Sequence, residues 1–234
     1  MQTHGLVTIQ NVNETAGRAN GVPAAMLTSA RPEPVVRLRT VGLALTMQCN
    51  FECAHCITES SPRVRSALSD AEAERLIEDI PGNSAHICFT GGETTLKLEM
   101  LLRGIRQARS LGLIPTIVTN GYWARDEKRT MAMLDKLATA GLIGICVSLD
   151  RFHLEFTGPE NALRIARMSR DYGFLHVVRM CYTKDDDFAS QFIARYKDSG
   201  INFQSVRVLR LGRARTLPLD VFESDAAQIG RAHV

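Results

Sequence analysis

The chain reads as an α/β protein built on a parallel sheet, and three features of its sequence say so. Short apolar runs alternate with amphipathic stretches at roughly 30-residue spacing, the rhythm of strand–helix units. The amphipathic stretches carry start signals such as Ser69 and Asp126 and stop signals such as Gly141, Gly173 and Gly200. Polar or glycine-containing segments follow the apolar runs, where strands joined by right-handed crossovers present their carboxyl ends.

Residues 1–36 mix Gly, Pro, Asn, Ser and Thr without a period, and are expected to form a weakly structured N-terminal extension. The domain proper is expected over 37–234. Its first strand is Val41 to Thr46, a buried apolar run, followed by a long loop holding three cysteines. A helix over Ser69 to Asp79 follows, capped by Ser69 or Asp70 and stopped by Pro81-Gly82. Next come a strand over Ala85 to Thr90, a helix over Leu96 to Ser110 and a strand over Leu113 to Thr119. A helix over Asp126 to Ala140 ends at Gly141, and a strand over Ile143 to Leu149 follows. Pro159 to Tyr172 is a helix ending at Gly173, and Leu175 to Tyr182 the fifth strand. Asp186 to Ser199 is a helix ending at Gly200, and Phe203 to Leu209 the sixth strand. A last helical piece is expected from about Asp220 to Gly230. Periodicity leaves two closures open: a doubly wound sheet, or a curved one related to the eight-fold barrel.

Composition narrows the function. The 234 residues are 45% apolar and 23% charged, a globular balance. No apolar run nears the roughly 20 residues that span a bilayer, and no basic segment leads into an apolar core as in a secretory signal. A net charge of +3 is too mild to imply a nucleic-acid partner. One basic cluster stands out, Arg207, Arg210, Arg213 and Arg215, either a face for an anionic partner or a solvated surface. The cytosol is the expected compartment, where thiols stay reduced and clustered cysteines bind metal.

The strand ends carry the chemistry. Cys49, Cys53 and Cys56 are spaced by three and two residues in one loop and can converge on one inorganic centre. Thiolates are the usual ligands of iron–sulfur clusters; with three of them, a four-iron cluster keeps one iron open. The alternative is a structural zinc held by these three and His55, which sits cramped directly before Cys56. The second strand ends in Thr90-Gly91-Gly92-Glu93, glycines that permit close backbone approach and a carboxylate that can accept from an ammonium group, or simply a glycine-rich turn. The third ends in Thr119-Asn120-Gly121, a turn or a ligand-lining segment, and the fourth in Ser148-Leu149-Asp150, where Asp150 can also cap a helix. His153 in the following loop is a candidate substrate contact or proton-transfer group. On the fifth strand Arg179 can pair with a carboxylate, while Cys181, like Cys88 and Cys146, is expected to pack in the core.

Cys-x3-Cys-x2-Cys after the first strand, with Gly91-Gly92-Glu93 roughly 35 residues on, resembles the radical S-adenosylmethionine (radical SAM) superfamily. The resemblance covers about residues 40–215. It implies a partial (βα)6 TIM-like barrel of parallel strands. It implies that Cys49, Cys53 and Cys56 hold a [4Fe–4S] cluster whose open iron is chelated by S-adenosylmethionine, cleaved on reduction to a 5′-deoxyadenosyl radical that abstracts hydrogen from substrate. Gly91, Gly92 and Glu93 would hold the methionine amino group, His55 would lie near the adenine, Asn120 would line the cofactor, Ser148 and Asp150 would bond the ribose, and Arg179 would pair with the carboxylate. His153 would be the catalytic candidate on the substrate side. Gly212-Arg213-Ala214 resembles the barrel ends of the branch that modifies peptides and natural products. No cysteine follows Cys181, however, so that branch's cysteine-rich C-terminal domain is missing, and the expectation is a minimal barrel or a truncated C-terminus. The implied partners are reduced ferredoxin or flavodoxin and a peptide or natural-product precursor, with neither nucleic acid nor membrane. The rivals are a radical enzyme acting on a small metabolite by rearrangement or methyl transfer, and a non-catalytic zinc or iron–sulfur module used for redox sensing.

Overall fold

In a computed structural model, described over residues 38–222, strands and helices alternate strictly. They are β1 (Val41–Thr46), α1 (Asp70–Glu78), β2 (His86–Gly91), α2 (Leu98–Ser110), β3 (Ile114–Thr119), α3 (Glu127–Ala140), β4 (Gly144–Ser148), α4 (Pro159–Asp171), β5 (Leu175–Tyr182), α5 (Phe188–Arg195) and β6 (Phe203–Arg207). The expected N-terminal extension, and the expected last helix beyond its first residues, lie outside the described residues; Leu219–Val221 is a single 3-10 turn.

Strand order decides the closure. The sheet runs β1-β2-β3-β4-β5-β6, every neighbour parallel. A doubly wound sheet reverses its strand order part-way; here each crossover steps the same way, so all helices fall on one face and the sheet curls into a partial barrel. Side chains alternate accordingly. Leu43 and Leu45, Ile87 and Phe89, Ile117, Ile145 and Val147, and Val178 and Met180 point outward into one core shared with the helices. Gly104 on α2 brings that helix so close to β2 that an added Cβ would lie 2.9 Å from the Phe89 ring. The alternate residues, among them Thr90, Val118, Ser148, Arg179, Cys181 and Val206, face the lumen.

Local chemistry sets the element ends. Ser69 caps α1 in a full capping box with Glu72, and Asp126 Oδ1 accepts from Arg129 N (2.8 Å) to start α3. Gly141 closes α3 in the left-handed conformation, φ 95°. Strand ends shift by one or two residues, β6 ending at Arg207 rather than Leu209, and two helices differ more. The helix expected to start at Leu96 begins instead as a 3-10 turn, Thr94–Lys97, capped by Glu93. The helix expected over 186–199 contracts to Phe188–Arg195, because a tight turn with Asp185 at φ 40° delays its start and the backbone leaves the helix at Tyr196. No helix among the described residues is long and apolar enough to cross a membrane.

Candidate functional site

The three-cysteine loop leaves the carboxyl end of β1, pinned by Cys49 N to Ser61 O (3.2 Å) and by a turn from Cys56 N to Cys53 O (3.1 Å). Phe51 anchors it, buried and stacked on Phe156 at 5.0 Å. Cys49 Sγ accepts from Phe51 N (3.3 Å) and from Asn120 Nδ2 (3.6 Å); Cys56 Sγ lies 3.4 Å from Thr58 Oγ1. Burial, only partly offset by the Phe51 amide, pushes the Cys49 thiol up to about 11; burial and then the Asp150 carboxylate raise Cys53. A metal centre must therefore displace protons from these sulfurs as it binds. Among the described residues, the group of three metal-ligating side chains whose donor atoms all lie within 4.8 Å of one another is His55, Asp150 and Cys181; the three loop cysteines are not such a group. Three thiolates on one tetrahedral zinc would sit about 3.8 Å apart, given Zn–S near 2.3 Å, closer than these three sulfurs lie in the loop.

The end of β2 locks onto this loop. Gly92 N donates to Thr46 O (2.7 Å) and Glu93 N to Gln48 O (2.8 Å). A Cβ on Gly91, at φ 123°, would lie 2.2 Å from Thr46 O, and one on Gly92 2.1 Å from Gln48 O. The glycines are thus demanded by the backbone leaving β1, and they also line the cavity. Glu93 is 1% exposed and is not among the residues lining the cavity. Its Oε1 accepts from Thr95 N (3.1 Å) and Thr119 Oγ1 (2.9 Å), its Oε2 from Asn120 N (2.7 Å), joining the ends of β2 and β3. Burial raises its carboxyl pKa against these bonds. Asn120 does line the cavity and ties β3 to the loop, its Nδ2 also donating to Asn50 Oδ1 (3.0 Å).

Across the lumen, Asp150 is 0% exposed and heavily engaged. Oδ1 accepts from Phe152 N and His153 N, both at 3.1 Å, and lies 2.8 Å from His153 Nδ1; Oδ2 accepts from Cys181 N (3.2 Å). Burial opposes its charge, but the His153 hydrogen bond and the neighbouring imidazoles outweigh burial and hold the carboxyl below its ordinary range. Asp150 therefore ties the loop after β4 to β5. His153 lines the cavity with Nδ1 held by that carboxylate. Ser148 and Arg179 occupy paired positions on β4 and β5 and both line the cavity; Gln204 Oε1 accepts from Arg179 Nε (3.3 Å) and Nη2 (3.2 Å). Cys181, expected in the core, faces the lumen instead, because β5 turns Met180 outward; burial, then Asp150, pushes its thiol up to about 12. Cys146, 9% exposed, is buried in the core as expected, and Cys88 is half-buried; neither lines the cavity.

His55 stacks on Phe152 at 4.5 Å, its Nε2 is 3.6 Å from Asp150 Oδ2, and its Nδ1 is buried without a partner. Burial overrides the pull of Asp150 and takes its pKa down to about 4. An unfolded histidine titrates near 6.5, so between pH 6.5 and 4 the unfolded chain binds the proton that the folded chain refuses. Stability from this group is present above pH 6.5 and is lost as pH falls towards 4, by about 3 kcal/mol at 1.36 kcal/mol per unit. Urea unfolding of the metal-free chain is expected to show this slope, and His55→Phe to flatten it; an unchanged slope in that variant places the titration elsewhere.

These walls enclose a cavity of about 370 Å³ at the carboxyl ends of the strands, within the range of small-molecule sites. Of the sequence-derived candidates, Cys49, Cys53, Cys56, His55, Gly91, Gly92, Asn120, Ser148, His153 and Arg179 line it, while Glu93 and Asp150 stand behind its wall. The unmet Nδ1 of His55, the guanidinium of Arg179 and the three spread thiols fit a bound cluster with a polar, zwitterionic cofactor. Sequence reading missed Phe51, Thr90, Val118 and Val206 on the wall; the alternation along each strand is the signal that finds the last three.

The family model described as the Radical SAM superfamily matches residues 43–206. The chain is 25% identical over 183 residues to the putative peptide biosynthesis protein YydG of Bacillus subtilis (strain 168), covering 76% of this chain and 57% of that protein. It is 33% identical over 134 residues to GTP 3',8-cyclase of Chlorobaculum tepidum, covering 56% of this chain and 38% of that one. Streptococcus suis SuiB, solved bound to S-adenosylmethionine, has the same fold with a TM-score of 0.64 at 18% identity, covering 85% of this chain and 46% of SuiB. This chain thus spans 57% or less of the length of these three proteins.

Proposed function

The chain belongs to the radical SAM superfamily, and on that footing we propose that it is an enzyme that modifies a peptide or natural-product precursor. The observation that carries the reading is the convergence of the three-cysteine loop, Gly91-Gly92, Asn120, Ser148 and Arg179 on one lumen. Cys49, Cys53 and Cys56 hold the [4Fe–4S] cluster; Gly91 and Gly92 serve the methionine end of S-adenosylmethionine, His55 the adenine, Asn120 the cofactor wall, Ser148 the ribose, and Arg179 the carboxylate, while Glu93 and Asp150, expected at the methionine end and the ribose, are buried behind the wall that these residues form. When bound, the two cofactors supply a one-electron reductive cleavage and a radical that abstracts hydrogen. The chain's own part is orientation and exclusion of water. Glu93 and Asp150 stiffen the wall from behind, and Phe51 packs the loop. His153, its Nδ1 held by Asp150, presents its other nitrogen on the substrate side for proton transfer.

Support for a peptide comes from the mouth and from the relatives. Ile57 and Leu209 line the opening with 60% and 49% of their surfaces exposed, an apolar lip suited to side chains of an extended substrate. YydG carries a peptide-biosynthesis name, and SuiB has been solved with its precursor peptide SuiA. A small-metabolite reaction is favoured by one finding, the 33% identity to a nucleotide cyclase. The electron donor is reduced ferredoxin or flavodoxin, and the compartment is the cytoplasm.

Anaerobic reconstitution tests the reading. About four irons per chain, a brown chromophore and 5′-deoxyadenosine on reduction with dithionite are expected. A precursor peptide, not GTP, is expected to raise that yield and to change mass. A colourless protein with one zinc supports the non-catalytic module instead, and turnover with GTP the metabolite reading.

A further inference from the structure

Resting on that reading, we propose that Arg213 is a positioning residue: it clamps the three-cysteine loop to the end of β6 and sets a fixed positive charge beside the cluster. One side chain reaches across the open seam of the barrel. Arg213 Nη1 donates to Cys53 O and Nη2 to Ser60 O, both at 2.7 Å, while its amide donates to Cys56 O at 2.9 Å. Two of these carbonyls belong to loop cysteines, and all three acceptors lie over 150 residues away in sequence.

A second observation agrees. Gly212, at φ 54°, packs so tightly that a Cβ would lie 2.3 Å from Ile57 O and 2.6 Å from Cys56 O. The anchor is firm: Ala214 is 0% exposed, and residues Gly212–Thr216 form a 3-10 turn in which Thr216 Oγ1 donates to Arg213 O (2.8 Å). Among the described residues β1 and β6 do not pair, so this contact joins the two edges of the sheet at the cofactor end. A guanidinium is always charged and its fork suits two carbonyls at once. Its guanidinium is part-buried against the loop, on the Cys53 and Ser60 carbonyls. A cation there favours whichever cluster state carries more negative charge, which is the reduced one.

Two variants separate the parts. Arg213→Lys keeps the charge and loses the fork; Arg213→Gln loses the charge and keeps a donor. In the metal-free protein, amide hydrogen exchange over residues 49–61, read by mass spectrometry, is expected to quicken at least about tenfold in both, since charged hydrogen bonds are worth at least that. Gly212→Ala is expected to do the same. In the reconstituted protein, the midpoint potential followed by electron paramagnetic resonance is expected to fall in Arg213→Gln and to stay near wild type in Arg213→Lys. Unchanged exchange in both Arg213 variants overturns the clamp, and an unmoved potential in Arg213→Gln overturns the charge. If the wild-type chain takes up no cluster, the cofactor reading fails, while the exchange data still decide the clamp.

Discussion

Cys53→Ala is expected to abolish both the visible chromophore and the release of 5′-deoxyadenosine while leaving the fold in place. Cys53 is the middle ligand of the loop and 7% exposed, so its sulfur is unlike a surface thiol that solvent or an added ligand replaces. Its removal leaves two thiolates, Cys49 and Cys56, too few for a cluster already one ligand short. The fold should tolerate the change. The loop is held by Phe51 on Phe156, by Arg213 on the Cys53 carbonyl and by Cys49 N on Ser61 O, none of which uses the Cys53 sulfur. Losing one buried sulfur atom costs on the order of 1 kcal/mol. Circular dichroism should therefore match wild type while iron per chain collapses. Deoxyadenosine production at the normal rate by this variant would sink the ligand assignment. A variant that still bound metal, but as one zinc through Cys181, Asp150 and His55, would point instead to the tighter group on the other wall.

Why some of this was legible in the sequence and some was not follows from which interactions are local. β1 and β5 fall where their apolar runs begin and end, and the caps at Ser69, Asp126 and Gly141 are read within four residues. The cysteine spacing and the Gly-Gly pair are likewise local. Closure was not legible, because periodicity is the same for a sheet that reverses its order and one that does not; the order itself settles it. The roles of buried polar groups were harder still. Asp150 lies in a linear pattern that suits either a ribose or a cap, and only the fold brings Cys181 N and His55 to it. Arg213 reads as one of four arginines in a basic run, yet its partners sit at Cys53, Cys56 and Ser60. Cys181 shares its face with Arg179, two residues earlier, but a cysteine packs as readily in a core as on a cavity wall, so residue type pointed the other way.

Glu93→Ala is expected to destabilise the fold strongly. The carboxylate is buried and accepts from Thr95 N, Thr119 Oγ1 and Asn120 N, so it starts the 3-10 turn after β2 and holds the end of β3 at once. Truncation leaves two backbone N–H groups without partners in a dry site, at about 1–3 kcal/mol each. It also frees Asn120, whose amide bonds Cys49 Sγ and Asn50 Oδ1. A loss of about 3–5 kcal/mol in urea unfolding is expected, a large part of a typical domain's stability. Glu93→Gln separates support from recognition. The amide keeps the volume and one acceptor oxygen but sets its NH2 against a backbone N–H that it cannot accept from, so stability should fall by about 1–3 kcal/mol, the cost of one buried donor left unpaired. If the negative charge also meets the amino group of S-adenosylmethionine, this folded variant should bind that cofactor at least about tenfold more weakly, since each 1.4 kcal/mol is tenfold. Equal cofactor affinity in Glu93→Gln and wild type would leave Glu93 as a brace between β2 and β3 alone, and would pass recognition of the amino group to the backbone carbonyls around Gly91 and Gly92.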